Sequence, residues 1–200
     1  MFETNADNLI SDAIRATANV DIEVTNGFRF APPIVPGPFT RGDLWNLLPL
    51  DTRMKKGWVT GKQLKDYLER ELELVFSRDP WKLSGGWGPR AAGLTIRFEA
   101  QAQPGRRLRS VEVNGEELQE HRRYTIGGCE REGEGEPLDL VCRLRGTDDV
   151  EILSPTIHQA MEAYLRQQQV IAPVRQHRSR ATDLPDSAFS QDQLLASFQR

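Results

Sequence analysis

The hydrophobic residues of this chain change their spacing near its middle, from the period of a helix to that of a strand. Between Thr60 and Ser77, one side of a predicted helix collects the apolar residues Leu64, Tyr67, Leu68, Leu72, Val75 and Phe76. From residue 94 onward, apolar and polar residues alternate instead, in LTIRF, LRSVEV and RYTI, as in strands with one buried face. Helices followed by such strands predict an α+β fold, with a mixed sheet and flanking helices.

The first part of the chain predicts two further helices and a strand. Residues 8–18 carry apolar side chains at helical spacing, and VDIEV at residues 20–24 alternates like a short strand. Thr40 and Asp43 have the spacing of a capping box, which predicts that a short helix follows them. The first part of the chain is therefore also expected to contain both helices and strands, in agreement with an α+β fold.

The last part of the chain predicts one more helix and then a tail. Ser154 as N-cap and Pro155 at the first helical position predict where this helix begins. Beyond Pro173 the sequence VRQHRSRATDLPDSAF has low hydrophobicity, which is typical of a mobile segment. We therefore expect one domain over residues 1–172 and a flexible tail over residues 173–200.

Composition excludes two classes of partner. The 26 Lys and Arg residues against 29 Asp and Glu residues give a formal charge of −3, so the chain has no overall basic field for nucleic acid. No apolar run approaches the ~18 residues of a membrane helix. The start, MFETNADNLI, has neither the basic n-region nor the hydrophobic h-region of an export signal. We expect no nucleic-acid or membrane partner, and localisation stays open.

Metal-ligating residues are sparse. The histidines are His121, His158 and His177, and the chain has no CxxC or HExxH motif. We therefore expect this chain to bind no metal and no cofactor by itself. Cys129 and Cys142 are predicted to be two buried thiols, with a disulfide left open.

One histidine and a group of arginines are expected at the surface. His158 falls beside the apolar side of the last helix, where an exposed histidine is more common than a ligand. A sequence cluster of arginines is interpreted as solvated surface: Arg90, Arg97, Arg106, Arg107 and Arg109.

Seven blocks of the sequence stand in one recognisable order. They are ETNADNLISDAIRA, VDIEVTNGFRF, FTRGDLWNLLPLDT, VTGKQLKDYLE, GGWGPRAAGLTIRF, RLRSVEVNGEEL and RRYTIGG. In this order they resemble the C-terminal domain of the 5′-nucleotidase family of metallophosphoesterases, which includes UDP-sugar hydrolases and related thiosulfohydrolases of sulfur oxidation. The resemblance implies a two-part enzyme in which another domain holds two divalent metal ions. The metal-binding runs of that domain, D-x-H, G-N-H-E and G-H-x-H, do not occur in this sequence.

The resemblance also implies binding residues in two loops. Asn26-Gly27-Phe28-Arg29 resembles the family's N-G-G-G-I-R loop, whose arginine holds the substrate phosphate and whose asparagine reaches the base or sugar. A guanidinium suits that role because it can clamp phosphate with two hydrogen bonds, and Gly27 lets the backbone approach an anion. Gly86 and Trp87 lie where family members have a glycine-rich pocket wall.

Two further positions correspond to the family's clamp on a purine base, and both differ here. The family places phenylalanines where this chain has Leu50 and Arg131, and neither residue stacks as a phenyl ring does. Thr52 stands in place of an asparagine, and Glu134 lies near the position of a ribose-binding aspartate. A nucleotide or another small anionic substrate is therefore expected, and thiosulfohydrolase-like specificity is favoured over a purine.

The resulting hypothesis is that this chain is the substrate-binding half of a 5′-nucleotidase-like metallophosphoesterase. Its partner would be a metallophosphoesterase domain or chain, and this chain alone is expected to hydrolyse nothing. Three alternatives stay open: a non-catalytic anion-binding or protein-interaction module, the specificity domain of a thiosulfohydrolase-like enzyme, and a piece cut from a two-domain protein.

Overall fold

The structure is a computed structural model that describes residues 3–25, 33–83, 88, 90–130, 141, 144–172 and 176–184. Its helices are α1 (Asn5–Ala18), α2 (Arg41–Leu47), α3 (Gly61–Phe76) and α4 (Ile157–Gln168). Its strands are β1 (Ile22–Thr25), β2 (Arg53–Thr60), β3 (Arg90–Ala92), β4 (Leu94–Phe98), β5 (Leu108–Val113), β6 (Glu116–Glu117), β7 (Arg123–Cys129), β8 (Asp148–Thr156) and β9 (Ser179–Ala181). None of the described helices is both long and apolar enough to cross a bilayer.

The strands form two mixed sheets, which confirms the α+β prediction. The larger sheet has the order β3-β1-β7-β2-β8, in which β1 and β7 are parallel and the other neighbours antiparallel. The smaller sheet has the order β6-β5-β4-β9, with β9 parallel to β4.

The five-stranded sheet lies between two hydrophobic cores. On one face, the apolar residues of β1, β2 and β7 pack with α3 and with β4 and β5 of the smaller sheet. On the other face, Met54 of β2 packs with α1, α2 and α4. The accessible parts of this sheet are therefore the ends of its strands and the edge strand β8, none of whose residues is buried.

Helix starts follow the capping signals in the sequence, with one correction. The capping box of Thr40 and Asp43 is present, and α3 begins directly after Thr60, as predicted. The predicted start of the last helix is wrong, because Ser154 and Pro155 belong to β8 and α4 begins two residues later. Thr156 is the N-cap, and its hydroxyl accepts the N–H of Gln159 at 3.3 Å. Pro155 is tolerated in β8 because this strand lies at the edge of the sheet, where a missing N–H is least costly.

Part of the predicted tail is an ordered strand. Residues 176–184 contain β9, which pairs with β4. The Glu3 carboxylate accepts backbone N–H groups of Gln176 at 2.5 Å and of Arg178 at 2.8 Å. The Arg178 guanidinium donates to both Asp12 oxygens, at 2.8 and 2.7 Å. The tail prediction is thus corrected for residues 176–184, and the domain boundary otherwise stays a prediction.

Candidate functional site

One end of the five-stranded sheet collects one end of each of its five strands, including the end of β8 at Thr156, which lies opposite Arg53. β1 ends at Thr25 opposite Arg90, where β3 begins. Since β7 is parallel to β1, its last residue, Cys129, lies at the same end. β2 runs antiparallel to β7 and begins there, and the Arg53 carbonyl oxygen accepts the N–H of Glu130 at 2.8 Å. We call this region the sheet end.

The segments predicted to bind substrate all join the described strands at the sheet end. They follow β1, precede β2, precede β3 and follow β7, and their predicted binding residues are Asn26, Gly27, Arg29, Leu50, Thr52, Gly86, Trp87, Arg131 and Glu134. The structure describes Leu50 and Thr52, and the other seven lie outside the described residues. The topology therefore brings the strand ends that these four segments join to one end of the sheet.

Within the described residues, the segment before β2 is fastened to the first turn of α4. The Asp51 carboxylate accepts the hydroxyl of Thr156 and the backbone N–H of His158, each at 3.0 Å. The N–H of Ile157 donates to the Thr52 carbonyl oxygen at 2.9 Å. Asp51 thus accepts one side-chain donor and one backbone donor at the start of α4, where the first N–H groups of a helix have no partner within the helix.

His158 is buried, which corrects the prediction of an exposed histidine. Its side chain extends from α4 to the segment before β2, where Nε2 lies 2.7 Å from the Leu48 carbonyl oxygen. The ring also packs edge-on against Trp45, with centroids 4.2 Å apart. Leu50, between these attachments, leaves 74% of its surface exposed. Sequence spacing gave no signal for this arrangement, because its bonds join residues more than 100 positions apart.

Two ion pairs support the sheet end. Arg90 Nε lies 2.6 Å from Asp7 Oδ2, and the two side chains are only 4% and 1% exposed. Arg53 Nε lies 3.0 Å from Glu130 Oε2, with Arg53 half exposed. The first pair joins α1 to β3, and the second joins the start of β2 to the residue after β7.

Two of the arginines that were predicted to be solvated surface are buried instead. Arg90 is in the ion pair with Asp7, and Arg107 donates to Glu73 Oε2 at 3.1 Å and to the Phe76 carbonyl oxygen at 3.2 Å. Both are structural side chains that sequence clustering alone did not distinguish from solvated ones.

Over the described part of the chain, no three His, Cys, Asp or Glu side chains are grouped so as to hold a metal ion. The described residues therefore do not fit a metal centre. Cys129 is half-buried, and Cys142 lies outside the described residues. Among the described residues, the sheet end therefore offers strand ends from which the predicted binding segments start, and no cluster of metal ligands.

Comparison with known proteins gives matches along most of the chain. The family model described as 5′-nucleotidase, C-terminal domain, matches residues 2–128. The trifunctional nucleotide phosphoesterase protein YfkN of Bacillus subtilis (strain 168) is 32% identical over an alignment of 123 residues, and the match covers 58% of this chain and 8% of that protein.

Two solved structures from Thermus thermophilus share the fold. The sulfate thiohydrolase SoxB matches with a TM-score of 0.75 at 24% identity, covering 92% of this chain and 33% of its own. A 5′-nucleotidase precursor from the same species matches with a TM-score of 0.69 at 20% identity, covering 92% and 36%. This chain thus spans less than a tenth of the Bacillus relative and about a third of each solved chain.

Proposed function

This chain belongs to the 5′-nucleotidase C-terminal domain family, and from that premise we propose that it is the substrate-binding half of a 5′-nucleotidase-like metallophosphoesterase. The observation that carries the proposal is the sheet end, where the four segments with predicted binding residues join neighbouring strands. Loops at strand ends of a rigid sheet are where binding residues commonly lie. In this proposal the sheet end faces the substrate.

Arg29 is the proposed anion-binding residue. It follows β1 by four positions, and a guanidinium can hold two oxygens of a phosphate at once while remaining charged at any physiological pH. Asn26 and Gly27, directly after β1, are the proposed contacts beside it. The divalent metals of such an enzyme are assigned to a partner metallophosphoesterase domain or chain, because the described residues of this chain do not fit them.

Leu50 supports a substrate recognised mainly by its anionic group. Its side chain is exposed at the sheet end, and an aliphatic side chain offers a base no aromatic face for stacking. This feature favours a second candidate, the specificity domain of a thiosulfohydrolase-like enzyme, in which the ligand is a small oxyanion. A third outcome, a non-catalytic interaction module, requires no anion binding.

A thermal-shift screen of the purified chain tests these functions together. The probes are nucleotides, UDP-sugars, inorganic phosphate, sulfate and thiosulfate, because a ligand that binds only the native state raises its melting temperature. A rise with nucleotides supports the nucleotidase-like function. A rise with the small oxyanions alone supports the second candidate.

Arg29→Ala is the decisive variant, and Arg166→Ala is its matched control. Arg166 lies in the last turn of α4, away from the helix start at the sheet end, so its loss removes equal charge elsewhere. The ligand-induced shift should disappear in Arg29→Ala and persist in Arg166→Ala. If no probe shifts the wild-type chain, or if Arg29→Ala keeps the full shift, the proposed function is wrong.

A further inference from the structure

We propose that the open edge of β8 is a docking site for an extended segment of a partner protein, in which basic residues alternate with apolar ones. That segment adds one more strand to the five-stranded sheet. The inference goes beyond the proposed function and does not depend on it, because no substrate takes part in the docking.

β8 is a long strand with one open side. It spans the nine residues Asp148–Thr156 and pairs with β2 along one edge, whereas no described strand lies along its other edge. None of its residues is buried. The backbone N–H and C=O groups along such an edge can pair with another extended chain. Main-chain pairing of this kind supplies affinity, and the side chains that alternate between the two faces supply specificity.

The first half of β8 is acidic. Glu151 forms an ion pair with Lys56 at 3.2 Å, and Arg123 lies 3.2 Å from Asp149 and 3.8 Å from Asp148. Three carboxylates thus share two cations, which leaves an excess of negative charge. Side chains two residues apart in a strand share a face, so Asp149 and Glu151 lie on one face of β8. Their side chains are 74% and 61% exposed, and cations of a partner can reach both.

The opposite face of β8 is apolar. Val150 lies over Gly57, where its Cγ2 would be 3.2 Å from an added Cβ, and Ile152 shares its face. Both side chains are only partly buried and belong to neither hydrophobic core. A strand that places basic side chains beside Asp149 and Glu151 must place its intervening residues on the apolar face. Alternation of basic and apolar residues is therefore the pattern that fits this edge.

The acids of β8 restrict the choice of partner more than they close the edge. Charged residues and prolines at an edge commonly prevent unwanted pairing. Here Pro155 lies near the last residue of the strand, and the acids leave Val150 and Ile152 uncovered on the other face. An acidic or uncharged strand is thus disfavoured, whereas a basic one gains ion pairs and covers apolar surface.

Peptide binding to the full chain tests this docking site. The probe is a labelled seven-residue peptide that alternates lysine and valine, measured by fluorescence anisotropy at low ionic strength. A control peptide of the same composition carries its lysines and valines in two separate blocks, so that charge is kept and alternation is lost. The alternating peptide should bind and the block peptide should not. Amide hydrogen exchange should slow in β8 when the alternating peptide is bound.

Two N-methylated forms of the alternating peptide test whether the backbone of the edge is used. One is methylated at its lysines and the other at its valines. Because alternate residues of a paired strand donate to the neighbouring strand, one form should lose binding and the other should keep it. This comparison uses the unchanged chain, so it holds even if a variant fails to fold.

A charge-neutralising double variant tests the acidic face. Asp149→Asn with Glu151→Gln keeps the shape of both side chains, and asparagine tolerates the positive φ of 50° at position 149. Losing two exposed ion pairs should weaken peptide binding roughly 2- to 30-fold. Asp66→Asn with Glu162→Gln is the matched control, because it removes two carboxylates from surface ion pairs on helices. Its peptide affinity should equal that of the wild type.

Four results would overturn the inference. They are absence of binding by the alternating peptide, equal binding of the two N-methylated forms, equal affinity of the two double variants, and self-association through β8. The last would appear in sedimentation as a dimer whose dilution speeds amide exchange in β8. In that case the occupant of the edge is a second copy of this chain.

Discussion

The ion pair between Arg90 and Asp7 allows a quantitative test of what holds the sheet end in place. Arg90→Met keeps an unbranched side chain of similar reach but leaves the Asp7 carboxylate buried without its cation. Breaking a buried pair in this way costs about 3–5 kcal/mol, mostly from the uncompensated charge. For a domain of this size each kcal/mol lowers the melting temperature by about 2–4 °C, so we expect a loss of roughly 6 to 20 °C.

Circular dichroism melts at pH 7 measure this loss, and two further variants identify its cause. Arg90→Met combined with Asp7→Asn removes both charges and should recover part of the loss, because no isolated charge stays buried. Arg41→Met breaks an exposed pair with Glu162 and should melt indistinguishably from the wild type. The reasoning is refuted if Arg90→Met melts like Arg41→Met, since the pair would then behave as a surface contact.

Three other outcomes are expected. Gly93→Ala should cost roughly 2–5 kcal/mol in urea denaturation, because Gly93 has a φ of +73° and a Cβ there would lie 2.0 Å from the Asp21 carbonyl oxygen. Burial alone would raise the pKa of Asp183, but the backbone N–H groups that it accepts lower this pKa below its ordinary 3.8. The ionised carboxylate therefore stabilises the fold fully at neutral pH, and this stabilisation is lost as the pH falls through the lowered pKa. Asp183→Asn should therefore be less stable than the wild type at pH 7, and their urea midpoints should converge below about pH 4. A chain ending at residue 172 should melt several degrees lower than one ending at residue 184, because the shorter chain lacks β9.

Local patterns in the sequence predicted the elements that depend on local interactions. α3 followed from the spacing of its apolar residues between Thr60 and Ser77. In the structure, the hydroxyl of Thr60 accepts the N–H of Gln63 at the start of this helix. β2 was not predicted, since Lys55, Lys56 and Gly57 interrupt the alternation of a strand that is paired on both sides. Its position is set by its neighbours β7 and β8 rather than by its own composition.

Distant contacts account for most of the remaining differences. β9 has little hydrophobicity of its own, and it is held by pairing with β4 and by carboxylate bonds on either side of it. The Glu3 carboxylate accepts the N–H of Arg178, and the Asp183 carboxylate accepts the N–H groups that follow β4. In the same way, the role of Asp51 depends on its bonds to α4, which no local pattern contains. The resemblance located the predicted binding segments, but the side chains that support one of them became visible only in the three-dimensional arrangement.

The bonds between Glu3 and the backbone of residues 176–178 place the segment before α1 beside the residues that lead into β9. They join residues more than 170 positions apart, so one carboxylate and two backbone N–H groups close the path from α1 to β9 into a ring. Releasing the segment before α1 would therefore also release the residues that lead into β9.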